Sequence, residues 1–256
     1  MAVKAPLALI HAMLGKAANW RPFLNHLDRP VSPLLIELPG HGLAERYEES
    51  RDFADQALEL ALEEMPSDPV PLIGHSFGAV LALRLAIERP YRVSSLVLIE
   101  PVFFAAVKGR WAYDKVERDL SGFSKKMAAA EHATAAREFH KVWGDGTPWN
   151  ELSAEQRGYM VDRIKLVTRG NTLVFDDLPG LLRPGRLEDL HMPVTFVDGA
   201  DSHPVISEII STIGDRIPDA EWVTVPDAGH MLPITHPQRV VEAIGDRLFV
   251  DPPALD

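Results

Sequence analysis

The 256-residue sequence contains no cysteine. That excludes thiol nucleophiles, structural disulfides, cysteine-ligated zinc and iron–sulfur clusters. No apolar run approaches the roughly 18 residues of a membrane-crossing helix, and the N-terminus lacks the pattern of a secretory leader. A membrane is therefore not an expected partner, and a cytoplasmic location is expected. Basic residues are in deficit, 26 Lys and Arg against 37 Asp and Glu, for a formal net charge of −11. Such a chain is a poor match for a polyanion, so nucleic acid is not expected either. Two nucleotide signatures are also missing: a Gly-x-Gly-x-x-Gly after a strand and a phosphate loop ending in Gly-Lys-Ser/Thr. Ten histidines are present, but no His-Glu-x-x-His pairs them for a metal. No metal and no cofactor is expected.

What is present is ordinary globular material, 46% apolar and 25% charged, with no need of a disulfide or metal staple. The length allows one large α/β domain or a core with a sizeable insertion. Short apolar runs alternate with helical patterns, which predicts a mostly parallel sheet covered on both faces. Six strands are predicted, at about 6–11, 31–37, 70–75, 93–99, 193–198 and 221–225. Helices are predicted at about 19–27, 51–65, 77–88, 204–213 and 237–249.

The interval 103–190 breaks this rhythm. It offers helices at 111–119, 124–143 and 153–168 and no convincing strand. It also holds ten of the nineteen aromatic residues, and its 14 basic and 13 acidic residues leave it near neutral. The core is expected at 1–102 and 191–256, with 103–190 as a helical insertion. The near-neutral insertion leaves room for an anionic substrate end, or is simply a solvated surface.

Chemistry concentrates at Gly74-His75-Ser76-Phe77-Gly78. The string follows a predicted strand and opens a predicted helix, the setting of a nucleophile elbow. Its turn is tight enough that the residues two before and two after the serine must be small. Ser76 is the expected nucleophile, and the Phe77 N–H at the helix start is an expected oxyanion donor. A serine hydroxyl needs a base. His230 supplies one, on a loop between the last strand and the last helix. The carboxylate that orients it is sought on a neighbouring loop, where Asp198 and Asp201 both follow the strand near 193–198.

These motifs, in this order, resemble the α/β-hydrolase superfamily, specifically its capped serine hydrolases. Leu38-Pro-Gly-His-Gly42 is similar to the loop after that family's second core strand. Gly74 to Gly78 is similar to its elbow, Gly199-Ala-Asp201 to its acid loop, and Ala228-Gly-His230-Met-Leu-Pro233 to its base loop. The resemblance implies a triad of Ser76, His230 and Asp201, with Asp198 or Glu100 as less favoured acids. It implies that Met13, after the first strand, is the second oxyanion donor, with Ala12 as runner-up. Where many members have His-Gly this chain has His11-Ala12, and Ala79 replaces a further glycine. Residues 103–190 fall where the family carries its cap. His11, His75, Phe103, Trp111, Trp143 and Met231 are expected to line the substrate site.

The expected activity is hydrolysis of a carboxylic ester of a small, partly apolar molecule through an acyl-enzyme. Thioester, lactone or carbon–carbon bond hydrolysis would use the same residues, as would an acyltransferase. The alternative from another class is a ligand-binding receptor or interaction protein with little turnover. The expected partner is a small-molecule substrate, and the chain is expected to be a monomer or homodimer.

Overall fold

The computed structural model describes residues 4–44 and 47–249. Six strands form one sheet in the order β2-β1-β3-β4-β5-β6, with every neighbouring pair parallel. They are β1 Ala5–Ile10, β2 Val31–Ile36, β3 Val70–His75, β4 Val93–Ile99, β5 Val194–Gly199 and β6 Glu221–Val225. All six match the expected positions to within a residue or two.

Burial follows position in the sheet. Every residue of β4 is buried, whereas the edge strands β2 and β6 each leave residues open to solvent. Pro33 sits on edge strand β2, the kind of strand to which proline is largely confined. Pro71 of β3 is tolerated for a related reason. β1 joins β3 only from Leu72 onward, and the register with β4 shifts at Val70/Pro71.

Helices cover both faces. In chain order they are α1 Arg21–Leu24, α2 Phe53–Glu64, α3 Phe77–Glu88, α4 Trp111–Asp119, α5 Ser121–Ala128, α6 His132–Trp143, α7 Ala154–Arg169, α8 Asn171–Val174, α9 Val205–Gly214, α10 Leu232–Thr235 and α11 Pro237–Ile244. Alternate residues of each strand feed opposite layers. Leu7, Leu9, Ile73, Val97 and Val197 pack with Trp20, Phe23 and Val240 on one face. Ala8, Ile10, Leu72, Leu96 and Phe196 pack against α2, α3 and α9 on the other. α2 opens on Asp52, whose carboxylate accepts the Asp55 N–H at 3.0 Å.

Helices α4 to α8 lie between β4 and β5, in the interval where the expected insertion falls, and one expected helix differs. The single helix expected at 124–143 is two, α5 and α6, broken at Ala130, whose φ is +56°. The Ala-Ala-Ala-Glu stretch there gives no local signal for a turn. The break is a tertiary effect: folding back sets Phe123 against Phe139, rings 5.4 Å apart, over buried Ala135, Ala136 and Ile164. α7 is started by a reciprocal cap between Ser153 and Gln156. The expected helix at 237–249 likewise ends early at Gly245 and continues as a 3-10 turn.

Because all strands run the same way, the segments after β1, β3, β4, β5 and β6 emerge along one edge of the sheet. The insertion lies over that edge, and the functional residues gather beneath it.

Candidate active site

Ser76 lies between β3 and α3 with φ 58° and ψ −118°, a conformation that disfavours any side chain. The surroundings hold it there. Its N–H donates to the Ile99 carbonyl at 2.9 Å. A Cβ on Gly74 would stand 2.3 Å from the Gly78 carbonyl oxygen, and one on Gly78 would stand 2.5 Å from the Ile10 carbonyl oxygen. The two glycines of the elbow are thus fixed by backbone contact, and the serine is left pointing out of the turn.

His230 is brought to Ser76 by the loop after β6, with Nε2 3.0 Å from Ser76 Oγ. Its other nitrogen, Nδ1, faces Glu100 Oε2 at 2.9 Å. Glu100 follows β4 directly, has φ 52° and is completely buried. Its Oε1 accepts the Gly199 N–H at 2.8 Å and the Ser202 hydroxyl at 2.6 Å. One carboxylate oxygen is therefore anchored by two donors, leaving the other for the imidazole.

The expectation for Asp201 is corrected here. Its side chain is exposed, and its N–H donates to the Ala228 carbonyl at 2.9 Å. The loop after β5 packs closely on the loop after β6, where a Cβ on Gly199 would stand 2.1 Å from the Ala228 oxygen. That loop contributes hydrogen-bond donors to Glu100 in place of an acid. Asp198 is also turned away: its carboxylate accepts the Trp222 indole N–H at 2.9 Å, and burial raises its pKa.

Phe77 is the first residue of α3, so its N–H belongs to the first-turn amides that lack an intrahelical acceptor. Met13 lines the same cavity as Ser76 and Phe77. The Ala12 carbonyl accepts the Gly15 N–H at 2.9 Å and the His11 Nδ1–H at 2.8 Å. In a trans peptide the C=O and N–H point to opposite sides, so these bonds also fix the direction of the Met13 N–H. Gly15 is required by this packing, as a Cβ would come within 2.8 Å of the Ala12 oxygen.

Two histidines expected in the substrate site are buried supports. His11 is 1% exposed. Its Nε2 lies 3.1 Å from the Leu38 N–H and 3.0 Å from Glu37 Oε2. With Nδ1 donating to the Ala12 carbonyl, Nε2 accepts the Leu38 N–H. His75 Nε2 donates to the His230 carbonyl at 2.8 Å and so steadies the loop that carries His230. Burial, then the neighbouring His230, lowers the His75 pKa to about 3 and keeps its ring neutral.

Above Ser76 opens a cavity of about 450 Å³. Its walls include Phe104, Phe123, Phe139, Trp143 and Phe175, together with Leu120, Met127 and Val167. Trp143 was expected here; its ring also lies 4.7 Å from that of His230. Phe103 is fully buried in the core and does not reach the cavity, and Trp111 is 64% exposed on the outside of α4. Both errors are of facing. Phe104 beside Phe103 points into the cavity, and the i, i+4 pair Phe139 and Trp143 shares one helix face. Phe139, not expected here, could have been read from that spacing to Trp143, whereas Phe104, Phe123 and Phe175 depend on how the helices are placed.

Among the described residues no lysine or arginine lines this cavity, and Glu117 is the one charged wall residue. The basic residues of the insertion instead include surface pairs such as Lys115–Asp119 and Lys126–Glu131. A second cavity, of about 300 Å³, shares Met13, Phe139 and Trp143 and contains Met231. Among the described residues no group of three His, Asp or Glu side chains is placed to hold a metal ion. No helix among them is long and apolar enough to cross a membrane.

The parallel sheet, the strained serine at its edge and the histidine–carboxylate pair beside it define an α/β-hydrolase-fold enzyme. A sequence model of the alpha/beta hydrolase family matches residues 7–243, and the chain belongs to that family. It is 27% identical over 249 residues to a pimeloyl-[acyl-carrier protein] methyl ester esterase of Aromatoleum aromaticum, covering 94% of this chain and 96% of that one. It is 28% identical over 259 residues to the lipase LipV of Mycobacterium tuberculosis, covering 95% and 93%. Among solved structures, the 2-hydroxy-6-oxo-6-phenylhexa-2,4-dienoate hydrolase from Rhodococcus superposes with a TM-score of 0.77. That match has 18% identity and covers 96% of this chain and 91% of the other.

Proposed function

We propose that the protein is a serine hydrolase that cleaves a carboxylic ester with an uncharged, largely apolar acyl group. The observation that carries this reading is the chain of contacts Ser76 Oγ to His230 Nε2 at 3.0 Å and His230 Nδ1 to Glu100 at 2.9 Å, opening into an apolar cavity. The esterase and lipase among the sequence relatives support the same reaction class.

In the first half-reaction Ser76 Oγ attacks the ester carbonyl while His230 takes its proton. Glu100 holds the imidazole in the productive tautomer and balances the charge it acquires. The oxyanion forms between the N–H groups of Phe77 and Met13, already oriented before substrate arrives. Collapse breaks the carbon–oxygen bond, and the alcohol leaves with the proton from His230. Water then attacks the acyl-serine with His230 again as base, releasing the carboxylic acid and restoring Ser76. Residues 103–190 act as a cap that supplies most of the acyl-binding wall.

The lining also bears on which acyl groups fit. A buried carboxylate without a cationic partner is strongly disfavoured, and the wall offers none among the described residues. This favours simple esters over dienoate substrates of carbon–carbon bond hydrolases, and it removes the reason to expect an anionic substrate end. Thioesters and lactones remain within the chemistry of the same residues.

A fluorophosphonate probe should label the protein at Ser76, read by peptide mass spectrometry, and Ser76→Ala should not be labelled. Ester turnover by Ser76→Ala should fall by about four to six orders of magnitude. Equal labelling of the two proteins would refute the nucleophile. Labelling without steady-state turnover of any neutral ester would favour a ligand-binding role.

A further inference from the structure

The loop carrying Met13 is held from below by the core and from above by one residue of the insertion. From below, Leu14, at φ 61°, donates its N–H to His41 Nε2 at 3.1 Å, and His41 Nδ1 donates to the Pro39 carbonyl at 2.9 Å. From above, the Tyr159 hydroxyl on α7 donates to the Gly15 carbonyl at 2.7 Å and accepts the Gly42 N–H at 3.0 Å. One hydroxyl thus joins three segments: α7, the loop after β1 and the loop after β2.

The tie has few ways to rearrange. Gly15 cannot carry a side chain, as shown above, and a Cβ on Gly42 would run into the Glu37 carboxylate. The Arg163 guanidinium lies 3.9 Å over the Tyr159 ring, and Lys16 Nζ lies 5.6 Å from its centre. Burial raises the Tyr159 pKa, so the phenol keeps the proton it gives to Gly15.

We propose that Tyr159 is a positioning residue for the oxyanion donor: through Gly15 it sets the loop that aims the Met13 N–H, so α7 must be seated for the hole to be formed. The reach is short, since Gly15 also donates to the Ala12 carbonyl, the other end of the peptide that bears the Met13 N–H. A hydroxyl from the insertion therefore acts two residues from the donor, from outside the cavity over Ser76. The idea rests on the serine-hydrolase reading, and the experiment separates the two.

Tyr159→Phe removes the hydroxyl and leaves the ring under Arg163. With a neutral ester the variant should show kcat lowered roughly five- to tenfold, in line with one lost hydrogen bond, and KM within twofold. Its affinity for a trifluoromethyl ketone, which forms the oxyanion, should fall by the same factor. Affinity for the matching secondary alcohol, which does not, should be unchanged. A merely structural tyrosine would lower both affinities together or neither, and either result overturns the proposal. Should Tyr159→Phe fail to fold, a fluorinated tyrosine at 159, whose phenol ionises nearer neutrality, keeps the shape. Its kcat should then fall on the alkaline side as the donor proton is lost, and a pH profile like that of wild type overturns the proposal. Wild-type labelling at Ser76 reports on the underlying reading alone. If wild type is labelled and Tyr159→Phe behaves like it, only the positioning role fails; if wild type is neither labelled nor active, the serine-hydrolase reading fails and this one with it.

Discussion

In the core, the groups at the site are held by main chain; in the insertion, they are held by the packing of side chains on helices. Ser76, Glu100 and Leu14 all sit at positive φ, and their neighbours are fixed by carbonyl and amide contacts that admit no larger residue. Phe104, Phe123, Phe139 and Phe175 are apolar surfaces whose places follow from how α5 to α8 lean together. Strained backbone persists where the structure around it over-determines it, so the proposed chemistry falls in the part least free to move. Selectivity is left to the part where one aromatic can replace another at modest cost. Tyr159 and Trp143 are where the two regimes meet.

The largest test of this division is at the acid. Glu100→Gln keeps size and burial but supplies no charge to balance the imidazolium, and its amide can favour the wrong imidazole tautomer. A loss in kcat on the order of 10³- to 10⁴-fold is expected. Asp201→Asn, on the exposed loop, should stay within about twofold, within the range of surface substitutions. Steady-state kinetics of both variants on one neutral ester decide the matter. The reverse ranking would move the acid back to β5.

How much of this was legible follows the same division. Short apolar runs such as those of β3 and β4 suit strands buried on both faces, so residues 70–75 and 93–99 declared themselves as strands. The Gly-x-Ser-x-Gly string could be read because tight backbone geometry restricts residue type at each position. Glu100 could not be preferred over Asp201 on spacing, because both follow adjacent parallel strands and reach the same edge. What separates them is the turn after β5, where the Ala228 oxygen crowds Gly199 and Asp201 faces solvent. In the insertion, amphipathic period revealed the helices but not which aromatic of a neighbouring pair faces inward. Phe103 and Phe104 differ by one residue and lie in different environments.

A second test asks whether the insertion sets selectivity by charge. Esters of one alcohol with butyric acid and with succinic acid, the latter keeping a free carboxylate, place a methyl or a charge at the same depth. Among the described residues the cavity wall offers the charge no cation, and Glu117 adds a carboxylate of its own. A preference for the neutral acyl group of about 100-fold or more in kcat/KM is expected, the cost of an unpaired charge even when partly solvated. Comparable rates would mean that the acyl group lies elsewhere. Phe139→Ala probes the same wall more gently. It should cost roughly tenfold in kcat/KM for a medium-chain ester and little for acetate, since a short acyl group does not reach the vacated space.

The smallest effect concerns stability, and it too separates the regions. Among the described residues, the two histidines whose pKa is lowered to about 3, His41 and His75, both belong to the core, and burial is the main cause for each. The insertion's His132 and His140 are only partly buried. An unfolded chain binds a proton at each histidine near pH 6.5, whereas the folded core resists until about 3. Between those values the unfolded state holds more protons, so stability falls as pH falls. Each such histidine contributes a slope of about 1.4 kcal/mol per pH unit, a tenfold change in the unfolding constant. Carboxylates titrate in the same range, so the difference between two proteins is the useful quantity. His75→Gln retains an amide that can donate to the His230 carbonyl but has no proton to gain. Urea unfolding between pH 4.5 and 6 should give a dependence shallower than wild type by about that slope. Identical slopes would mean that His75 titrates normally in the fold, and the core would then be more open to water beneath His230 than its burial indicates.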